Sequence, residues 1–219
     1  MAFLGQSEIR KMAEAEIAVT GKKLFLNDTF DPDMLQQCSY DLRLGSEVYI
    51  VGKKVPDRLT KARDFISLAP GQFAMLTCHE WLAMPPHLMA FITLRSSFKF
   101  QGLINISGFH VDPSFQGKLL FAVQNVGPSD IRLRYLEPTF TIFFGEVQGS
   151  TGPGRERPPL SGIRLQDVQT LGGGSVSLAK LKKELDTVRL MLLVYGPFAV
   201  AAFIALLINL VKAAPVPPH

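Results

Sequence analysis

The fold is decided by the stretch ISLAPGQFAMLTCHEWLAMPPHLMAFITLRSS, residues Ile66–Ser97. It contains two short runs rich in apolar, aromatic and β-branched side chains, Gln72–Cys78 and Met89–Leu94, and such runs favour β-strands. Pro70-Gly71 precedes the first run and Pro85-Pro86 lies between the two, where these residues favour turns. The stretch therefore predicts strands joined by turns.

The same pattern continues on both sides of this stretch, from Phe25 to Val147. Further strand-like runs are Glu47–Val51, Lys118–Asn125 and Phe140–Phe144, and turn signals recur about every ten residues. This spacing is typical of an all-β barrel or jelly roll. We therefore predict a mainly β fold, preceded by one short N-terminal helix over Glu8–Glu16 that Ser7 caps.

The composition indicates a folded protein without a nucleic-acid groove. The chain has 219 residues, of which 47% are hydrophobic and 19% are charged, so it is neither a disordered tail nor a disulfide-dense miniprotein. Residues 1–174 carry 18 basic and 17 acidic side chains. Because clusters of Lys and Arg supply most of the affinity for phosphate backbones, we expect no nucleic-acid partner. Cys38 and Cys78 form no CxxC motif and are predicted to be small buried residues in a reducing cytoplasm.

The C-terminal fifth of the chain has the features of a membrane anchor. Leu190–Val211 is a run of 22 residues without a charge, and as a helix it would measure about 33 Å, enough to cross the hydrocarbon core of a bilayer. A buried globular helix is the alternative, but such a helix rarely stays apolar on all faces over this length. The basic residues before the run are Lys180, Lys182, Lys183 and Arg189, and only Lys212 follows it. The positive-inside rule then predicts a single-pass protein of the cell membrane whose N-terminal domain is cytoplasmic.

Changes in composition divide the chain into five predicted regions. They are a β-domain over residues 1–150, a Gly/Pro-rich linker over 151–174, a basic amphipathic juxtamembrane helix over 175–189, the transmembrane helix over 190–211 and a short tail over 212–219. In the juxtamembrane region, apolar residues are spaced alternately three and four apart, as in the seam of a coiled coil: Leu178, Leu181, Leu185, Val188 and Leu192. A short oligomeric stalk and an ordinary amphipathic helix both fit this spacing.

Two groups of polar residues indicate phosphate and water chemistry. Arg95, Ser96 and Ser97 follow a predicted strand, where a guanidinium, hydroxyls and backbone N–H groups can bind phosphate oxygens. Asp112 precedes Pro113 in a predicted turn, and its carboxylate can act as a general base towards water or bind a sugar hydroxyl. Both patterns also occur as ordinary turn chemistry, so the residues alone leave a structural role open.

Three segments, in this order along the chain, resemble the dCTP deaminase and dUTPase superfamily. CSYDLRLG over Cys38–Gly45 is similar to the first motif of that family, Ile66–Ser97 is similar to its core run ending in Arg-Ser-Ser, and Gly102–Pro128 is similar to its motif with an Asp and a following aromatic residue in a turn. The resemblance implies a dUTPase-like distorted jelly roll or β-barrel that assembles as a homotrimer. It also implies active sites at the subunit interfaces and a Mg²⁺-bound deoxyribonucleoside triphosphate, dUTP or dCTP, as ligand.

The resemblance further assigns roles to individual residues. It implies that Asp112 is catalytic, and that the triphosphate is bound by Arg95, Ser96, Ser97 and Lys99. Lys99 stands next to Phe100, which occupies the position of a further basic residue in deaminases. The nucleoside is expected to contact Ile106, Gly108, His110 and Phe115. Mg²⁺ is expected to come with the triphosphate, and no metal-binding residues are predicted in the chain.

Two departures from the family bear on the activity. Deaminases of the family have a proton-transferring Glu in the strand after the Asp motif, where this chain has Ala122. The dUTPases have a small or apolar residue there, so the resemblance favours hydrolysis of dUTP to dUMP over deamination of dCTP. The PGxRxxQ segment of the family reads EPTFTIFF over Glu137–Phe144, without the glycine and without the glutamine that helps to hold the ligand.

The sequence therefore leaves three functions open. The first is a membrane-anchored enzyme that hydrolyses dUTP or deaminates dCTP. The second is a catalytically degenerate, nucleotide-sensing trimeric membrane effector, for instance in a stress or phage-defence response. The third is a trimeric scaffold at the membrane. An anchor offers little to an enzyme whose substrate diffuses freely, and this favours the second function over the first.

Overall fold

A computed structural model describes residues 2–14, 23–149, 158–164, 166, 168 and 178–213. The chain divides into two units, Met1–Ser175 and Val176–His219, and each unit is described by itself. The tail after residue 213 and most of the predicted linker lie outside the described residues, as do Ser175 and Ser177, the predicted caps of the C-terminal helix.

The described part of the first unit is built almost entirely of strands. Its helices are α1 (Gln6–Glu14) and α2 (Ser96–Lys99), with a 3-10 turn at Pro32–Met34. Its strands are β1 (Phe25–Leu26), β2 (Tyr40–Ile50), β3 (Asp57–Arg58), β4 (Phe65–Leu68), β5 (Phe73–Cys78), β6 (Trp81–Ala83), β7 (Leu88–Leu94), β8 (Leu103–Asn105), β9 (His110–Val111), β10 (Gln116–Gly117), β11 (Leu120–Asn125), β12 (Ile131–Arg134) and β13 (Pro138–Glu146). The predicted mainly β fold is confirmed.

Most of these strands belong to one curled, antiparallel sheet that forms a half-barrel. Its order is β8-β11-β5-β2-β13-β7-β9, and β3 pairs with β2 beside this path. Among the described residues, β1-β6-β10 form a three-stranded sheet and β12-β4 form a pair. The long strand β2 contains most of two segments that were predicted separately from the sequence, the motif Cys38–Gly45 and the run Glu47–Val51.

The apolar core lies inside the curled sheet because apolar and polar side chains alternate along its strands. In β7, every second side chain from Leu88 to Leu94 is buried, while Met89, Phe91 and Thr93 between them are partly exposed. Phe121 of β11 and Phe140 of β13 stack with their ring centroids 3.6 Å apart. This alternation leaves the opposite face of β7 and β13 available for polar side chains.

The N-terminal helix exists but begins earlier than predicted. Helix α1 starts at Gln6, so Ser7 lies within its first turn and not at the cap. The helix packs against the core through Ile9, which is fully buried. It is described as far as Glu14, and the predicted end at Glu16 lies outside the described residues.

Part of the predicted linker packs against the β-domain. Leu160 forms a parallel bridge with Gly117, and the backbone N–H of Ile163 donates to Glu47 Oε2 at 3.0 Å. Gly117 has φ +136°, and a Cβ at this position would lie 2.5 Å from the backbone N of Leu160. Only glycine permits both this conformation and this close approach. Val168 is also buried, against Tyr49 and Met75 on the outer side of the sheet.

The two cysteines differ in their surroundings. Cys78 is buried, as predicted, and its Sγ donates to the carbonyl of Glu80 at 3.0 Å and accepts from the N–H of Leu119 at 3.0 Å. Burial raises the pKa of the Cys78 thiol. Cys38 is exposed, so its predicted burial is wrong. It precedes β2, in a connection that the core does not cover.

A buried ion network ties β2 to the connection between β5 and β6. Glu80 is fully buried. Its Oε1 accepts from Arg43 Nε at 2.8 Å and its Oε2 accepts from the backbone N–H of Arg43 at 3.0 Å. The same guanidinium pairs with Asp31 Oδ2 at 2.7 Å. Burial raises the pKa of Glu80 to about 7, although the hydrogen bond and the charge of Arg43 act in the opposite direction.

The second unit contains one long helix, α3, which runs from Leu178 to Ala213 without interruption and includes Pro197. Within it, Glu184–Asn209 is long and apolar enough to cross a membrane, by length and composition. The residues of this segment are exposed in the single chain, apart from Gly196, which is partly exposed. The predicted membrane helix is therefore present as a helix of sufficient length.

We expect the Glu80→Gln variant to change how stability depends on pH. The folded protein retains the Glu80 proton up to about pH 7, whereas the unfolded chain loses it near 4.5. The free energy of unfolding of the wild type should therefore fall, relative to the variant, as the pH rises through this window. Thermal unfolding of both proteins in mild detergent, measured across the window, tests this expectation.

The neighbouring His79 also contributes to the pH dependence of stability, because its pKa is shifted down while that of Glu80 is shifted up. Burial, and then the charge of Arg43, lower the pKa of His79 below its usual 6.5, so this group destabilises the fold as the pH falls. His79 is present in both proteins, and its effect cancels when they are compared. Parallel pH profiles for wild type and Glu80→Gln would show that Glu80 does not titrate in this window.

Candidate functional site

The residues predicted to bind phosphate form one exposed turn at the end of β7. Arg95 follows the last residue of the strand, and Ser96–Lys99 form the single helical turn α2. The backbone N–H of Arg95 donates to the carbonyl of Thr139 at 3.0 Å, which fixes the turn to β13. Ser96, Ser97 and Lys99 are exposed while Phe98 is buried. The structure therefore groups all four predicted residues and leaves their polar atoms accessible to solvent.

Asp41 of β2 positions Arg95. Its Oδ2 lies 3.0 Å from Arg95 Nη1, and its Oδ1 accepts a hydrogen bond from Thr141 Oγ1 at 2.7 Å. Asp41 is buried whereas the Arg95 side chain is 40% exposed, so one side of the guanidinium is held and the other side faces solvent. Asp41 is not among the functional residues predicted from the sequence, although it lies within the motif Cys38–Gly45.

The second cation of this turn, Lys99, is held through Thr93. Lys99 Nζ donates to Thr93 Oγ1 at 2.6 Å. Thr93 lies opposite Thr141 in the register of β7 and β13, and Thr141 lies opposite Asp41 in the register of β13 and β2. Asp41, Thr141 and Thr93 therefore form a polar row across three strands, with one cation bound at each end. The arrangement presents two positive groups on one face of the sheet.

Asp112 lies in a tight turn after β9. The backbone N–H of Phe115 donates to the carbonyl of Asp112 at 3.3 Å, and Ser114 has φ +64° within this turn. The Asp112 side chain is 67% exposed, and its Oδ1 lies 3.4 Å from Nε2 of His110. His110 stands two residues before Asp112 in the sequence, and the structure brings the two side chains together. The ring of Phe115 is partly buried and packs against the core.

The loop between β8 and β9 carries the remaining predicted nucleoside contacts and crosses Ala122. The backbone N–H of Ile106 donates to the carbonyl of Ala122 at 2.8 Å. Asn105 stabilises the loop, since its Oδ1 accepts from the hydroxyl of Ser107 at 2.6 Å. Gly108 has open space around the position of a Cβ. Beside this loop, position 122 offers a methyl group and no proton-transferring group.

Within one chain, Arg95 and Asp112 lie at opposite ends of β7. Strand β9 pairs with β7 so that His110 is opposite Phe91 and Val111 is opposite Ala90. Continued by one residue, this register sets Asp112 beside residue 89, six residues before Arg95. Six residues of strand measure about 20 Å. The structure therefore gathers the predicted residues into two separate groups, one around Arg95 and one around Asp112.

The segment that replaces the family's PGxRxxQ pattern is a structural strand. Residues 138–146 form β13, which pairs with β2 on one side and with β7 on the other. Phe144, the last residue of EPTFTIFF, is fully buried and packs edge-to-face on Phe25. No polar side chain from this position can contact a ligand.

The described residues do not form a metal site by themselves. Among them, no three His, Cys, Asp or Glu side chains are arranged to hold a metal ion. Mg²⁺ is commonly held by one or two carboxylates together with substrate phosphates and water. The residues therefore fit an ion that enters with a triphosphate, and Asp112 offers an exposed carboxylate that could contact it.

Comparisons with known proteins identify the relatives of this chain. A family model described as dCTP deaminase-like matches residues 3–137. A dCTP deaminase of Thermococcus kodakarensis is 31% identical over 128 residues, which cover 58% of this chain and 80% of that protein. A dUMP-forming dCTP deaminase of Aquifex aeolicus is 27% identical over 146 residues, which cover 57% of this chain and 81% of that protein.

A solved structure has the same fold. The crystal structure of 2′-deoxycytidine 5′-triphosphate deaminase from Agrobacterium tumefaciens matches with a TM-score of 0.50 and 20% identity. The match covers 65% of this chain and 47% of that chain, so this chain spans about half the length of the crystallised protein. At this identity the match supports the fold alone.

We expect Asp41→Asn to destabilise the β-domain by roughly 1–2 kcal/mol, because the charge-assisted contact with Arg95 is lost from a buried carboxylate. The matched control is Asp64→Asn, which removes an exposed carboxylate 3.5 Å from Arg134 and should cost less than about 0.5 kcal/mol. Thermal unfolding of both variants in mild detergent measures the difference. Equal losses of stability would contradict the positioning role of Asp41.

Proposed function

This chain belongs to the dCTP deaminase-like family, and we propose that its β-domain, residues 1–150, binds a deoxyribonucleoside triphosphate and hydrolyses dUTP to dUMP. The observation that carries the choice of reaction is the position of Ala122, whose carbonyl accepts the backbone hydrogen bond of Ile106 in the predicted nucleoside loop. A methyl group cannot transfer a proton to or from a cytosine ring, so the side chain at position 122 cannot perform the proton transfers that deamination needs. Hydrolysis requires only a base near the phosphates.

The turn around Arg95 supports binding of the triphosphate. The guanidinium of Arg95 is oriented by Asp41, Lys99 is held by Thr93, and the hydroxyls of Ser96 and Ser97 are exposed between them. Charge-assisted hydrogen bonds from such groups are the usual means of binding phosphate. When bound together with the nucleotide, Mg²⁺ would neutralise part of the triphosphate charge. The base is expected to lie against the loop that holds Ile106 and Gly108.

Asp112 is proposed to activate the attacking water. Its exposed carboxylate accepts one proton of the water, and the oxygen of that water forms a new bond to phosphorus. The bond between the α-phosphate and the β-phosphate breaks, so the products are dUMP and pyrophosphate. His110, 3.4 Å from Asp112, holds the carboxylate in place during this step.

The separation of Arg95 and Asp112 supports a site shared between copies of the chain. The two groups lie about 20 Å apart along β7, while a single ligand has to contact both for the proposed reaction. In a closed ring of identical copies, the Asp112 turn of one copy can meet the Arg95 turn of the next. We therefore propose that the β-domain assembles as a homotrimer with three such sites.

We further propose that helix α3 anchors the protein to the cell membrane as a single-pass segment through Leu190–Val211, with the β-domain in the cytoplasm. The helix is long and apolar enough, and the excess of basic residues before the charge-free run favours this orientation. We propose that the chain has the five regions predicted from its sequence, with Leu160 and Ile163 of the linker region held against the β-domain.

A second function is favoured by one observation. Phe144 is buried at the end of the segment where the family pattern has a ligand-holding glutamine. The domain can therefore bind a nucleotide through the remaining groups without turning it over, and report its presence as a membrane effector in a stress or defence response.

The first test is turnover by the full chain in mild detergent with Mg²⁺ and a panel of deoxyribonucleoside triphosphates, with the products separated by chromatography. We expect dUTP to yield dUMP and pyrophosphate, and Asp112→Asn to slow this reaction by about 100-fold or more. Asp130→Asn, which changes an exposed carboxylate bonded to Ser67, should leave the rate unchanged. Conversion of dCTP to dUTP would refute the proposed reaction, and binding of dUTP without turnover would favour the sensing function.

The second test asks whether one site uses two copies of the chain. Arg95→Gln and Asp112→Asn should each be inactive as pure proteins. Mixed in equal amounts during assembly, they should recover about a quarter of the wild-type activity, because random mixing in a ring gives that fraction of sites both native residues. No recovery, with mixed oligomers present, would place both residues of a site in one chain.

A further inference from the structure

The three-and-four spacing of the juxtamembrane segment continues into the charge-free span. In helix α3, Leu185, Val188, Leu192 and Tyr195 are separated by three, four and three residues. The side chains of Leu192 and Tyr195 are each 67% exposed in the single chain. Because the helix is uninterrupted across Gly196 and Pro197, the same line of side chains can be followed further.

Beyond Tyr195, the spacing is kept as far as the end of the span. The next members are Ala199, Ala202, Leu206 and Asn209, separated by three, four and three residues after a step of four from Tyr195. Only six of the 22 positions of Leu190–Val211 lie on this line, yet the line includes Tyr195 and Asn209, the two polar side chains of the span. Polar residues placed on one face of a membrane helix usually face protein and not lipid.

The type of residue on the line changes where the solvent would change. Before the span the line consists of the large apolar residues Leu185 and Val188, which associate in water through the hydrophobic effect. Within the span it consists mainly of alanine and polar residues. In lipid the hydrophobic effect does not drive helices together. They associate there through close packing of small residues and hydrogen bonds between polar ones. Each part of the line thus has the composition that favours self-association in its own surroundings.

The charges beside the line indicate how the helices are arranged. Glu184 and Arg189 flank it on opposite sides, five residues apart. In parallel helices aligned in register, these are the g position of one helix and the facing e position of its neighbour, where opposite charges attract. Copies of a single-pass protein inserted in the same orientation are necessarily parallel.

We propose that the line from Leu185 to Asn209, the seam, is a contact between parallel, in-register copies of this chain that runs from the juxtamembrane segment through the membrane. Ala199 and Ala202 let the backbones approach closely, and Asn209 forms hydrogen bonds between copies within the bilayer. The inference goes beyond nucleotide binding and rests only on the proposed membrane insertion of α3.

Disulfide cross-linking of the full chain in its own membranes tests the seam. In a Cys38→Ser background, which removes the exposed thiol, Ala202→Cys places a thiol on the seam and Ala201→Cys places one beside it. Both variants start from the same residue type. With a mild oxidant, Ala202→Cys and Ala199→Cys should form dimers on a non-reducing gel while Ala201→Cys stays mostly monomeric, since a disulfide needs closely apposed Cα atoms. No dimer at residue 202, or equal dimer at 201 and 202, would overturn the seam.

A composition-matched variant tests the role of Asn209. In the Ala202→Cys protein, exchanging two neighbours by Ile208→Asn and Asn209→Ile moves the amide off the seam and leaves the hydropathy of the span unchanged. We expect the yield of cross-linked dimer to fall several-fold, and Asn209→Gln to retain it. An unchanged yield after the exchange would exclude Asn209 from the contact.

Alkaline extraction of the same membranes separates failure of the anchor from failure of the seam. A chain released by extraction is not inserted, and this result would refute the proposed anchor and with it the seam inside the membrane. In the retained protein, the difference in cross-linking between residues 201 and 202 tests the seam itself. Turnover of nucleotides is measured separately and depends on neither result.

Discussion

Strand β13 is the element on which the candidate site depends. It pairs with β7 from Phe140 to Glu146 and with β2 from Pro138 to Ile142, so it joins strands that come from distant parts of the chain. Thr141 and Asp41, which are 100 residues apart in the sequence, form a 2.7 Å hydrogen bond across this pairing. The backbone of Arg95 is held by Thr139 of the same strand. If β13 were displaced, Arg95 would lose both its backbone anchor and its carboxylate partner.

The strong alternation of the sheet explains why the site lies on its outer side. The inner side chains of β7, β11 and β13 form an apolar core, in which an unpaired charge would be costly. Asp41, Thr141 and Thr93 are on the opposite side. Asp41 pairs with Arg95 and Thr93 accepts from Lys99, two cations that still reach solvent, while Thr141 donates to Asp41. The buried carboxyl of Glu80, by contrast, accepts hydrogen bonds from the side chain and the backbone N–H of Arg43 and serves to connect segments of the fold.

Two features of the chain point to association of identical copies, and they are physically independent. In the β-domain, Arg95 and Asp112 lie about 20 Å apart along β7, and the proposed site takes one of them from each of two copies. In helix α3, the seam offers a contact that depends on packing and hydrogen bonds in lipid. The first depends on the register of β7 and β9 and the second on the register of one helix. A single assembly that satisfies both would join nucleotide binding in the cytoplasm to helix packing in the membrane.

Local patterns in the sequence suffice to predict the strand-rich domain, the polar turn after β7 and the long apolar helix, because these follow from periodicity, turn residues and the length of an uncharged run. The closeness of His110 to Asp112 likewise follows from their separation of two residues. The folded structure was needed to show that Asp41 holds Arg95, that the Ile106 loop crosses Ala122 and that Leu160 packs on Gly117. It also showed that Cys38 is exposed and that α1 begins before Ser7. These are contacts between residues far apart in the chain, and the register of the whole sheet, which no local pattern specifies, brings them together.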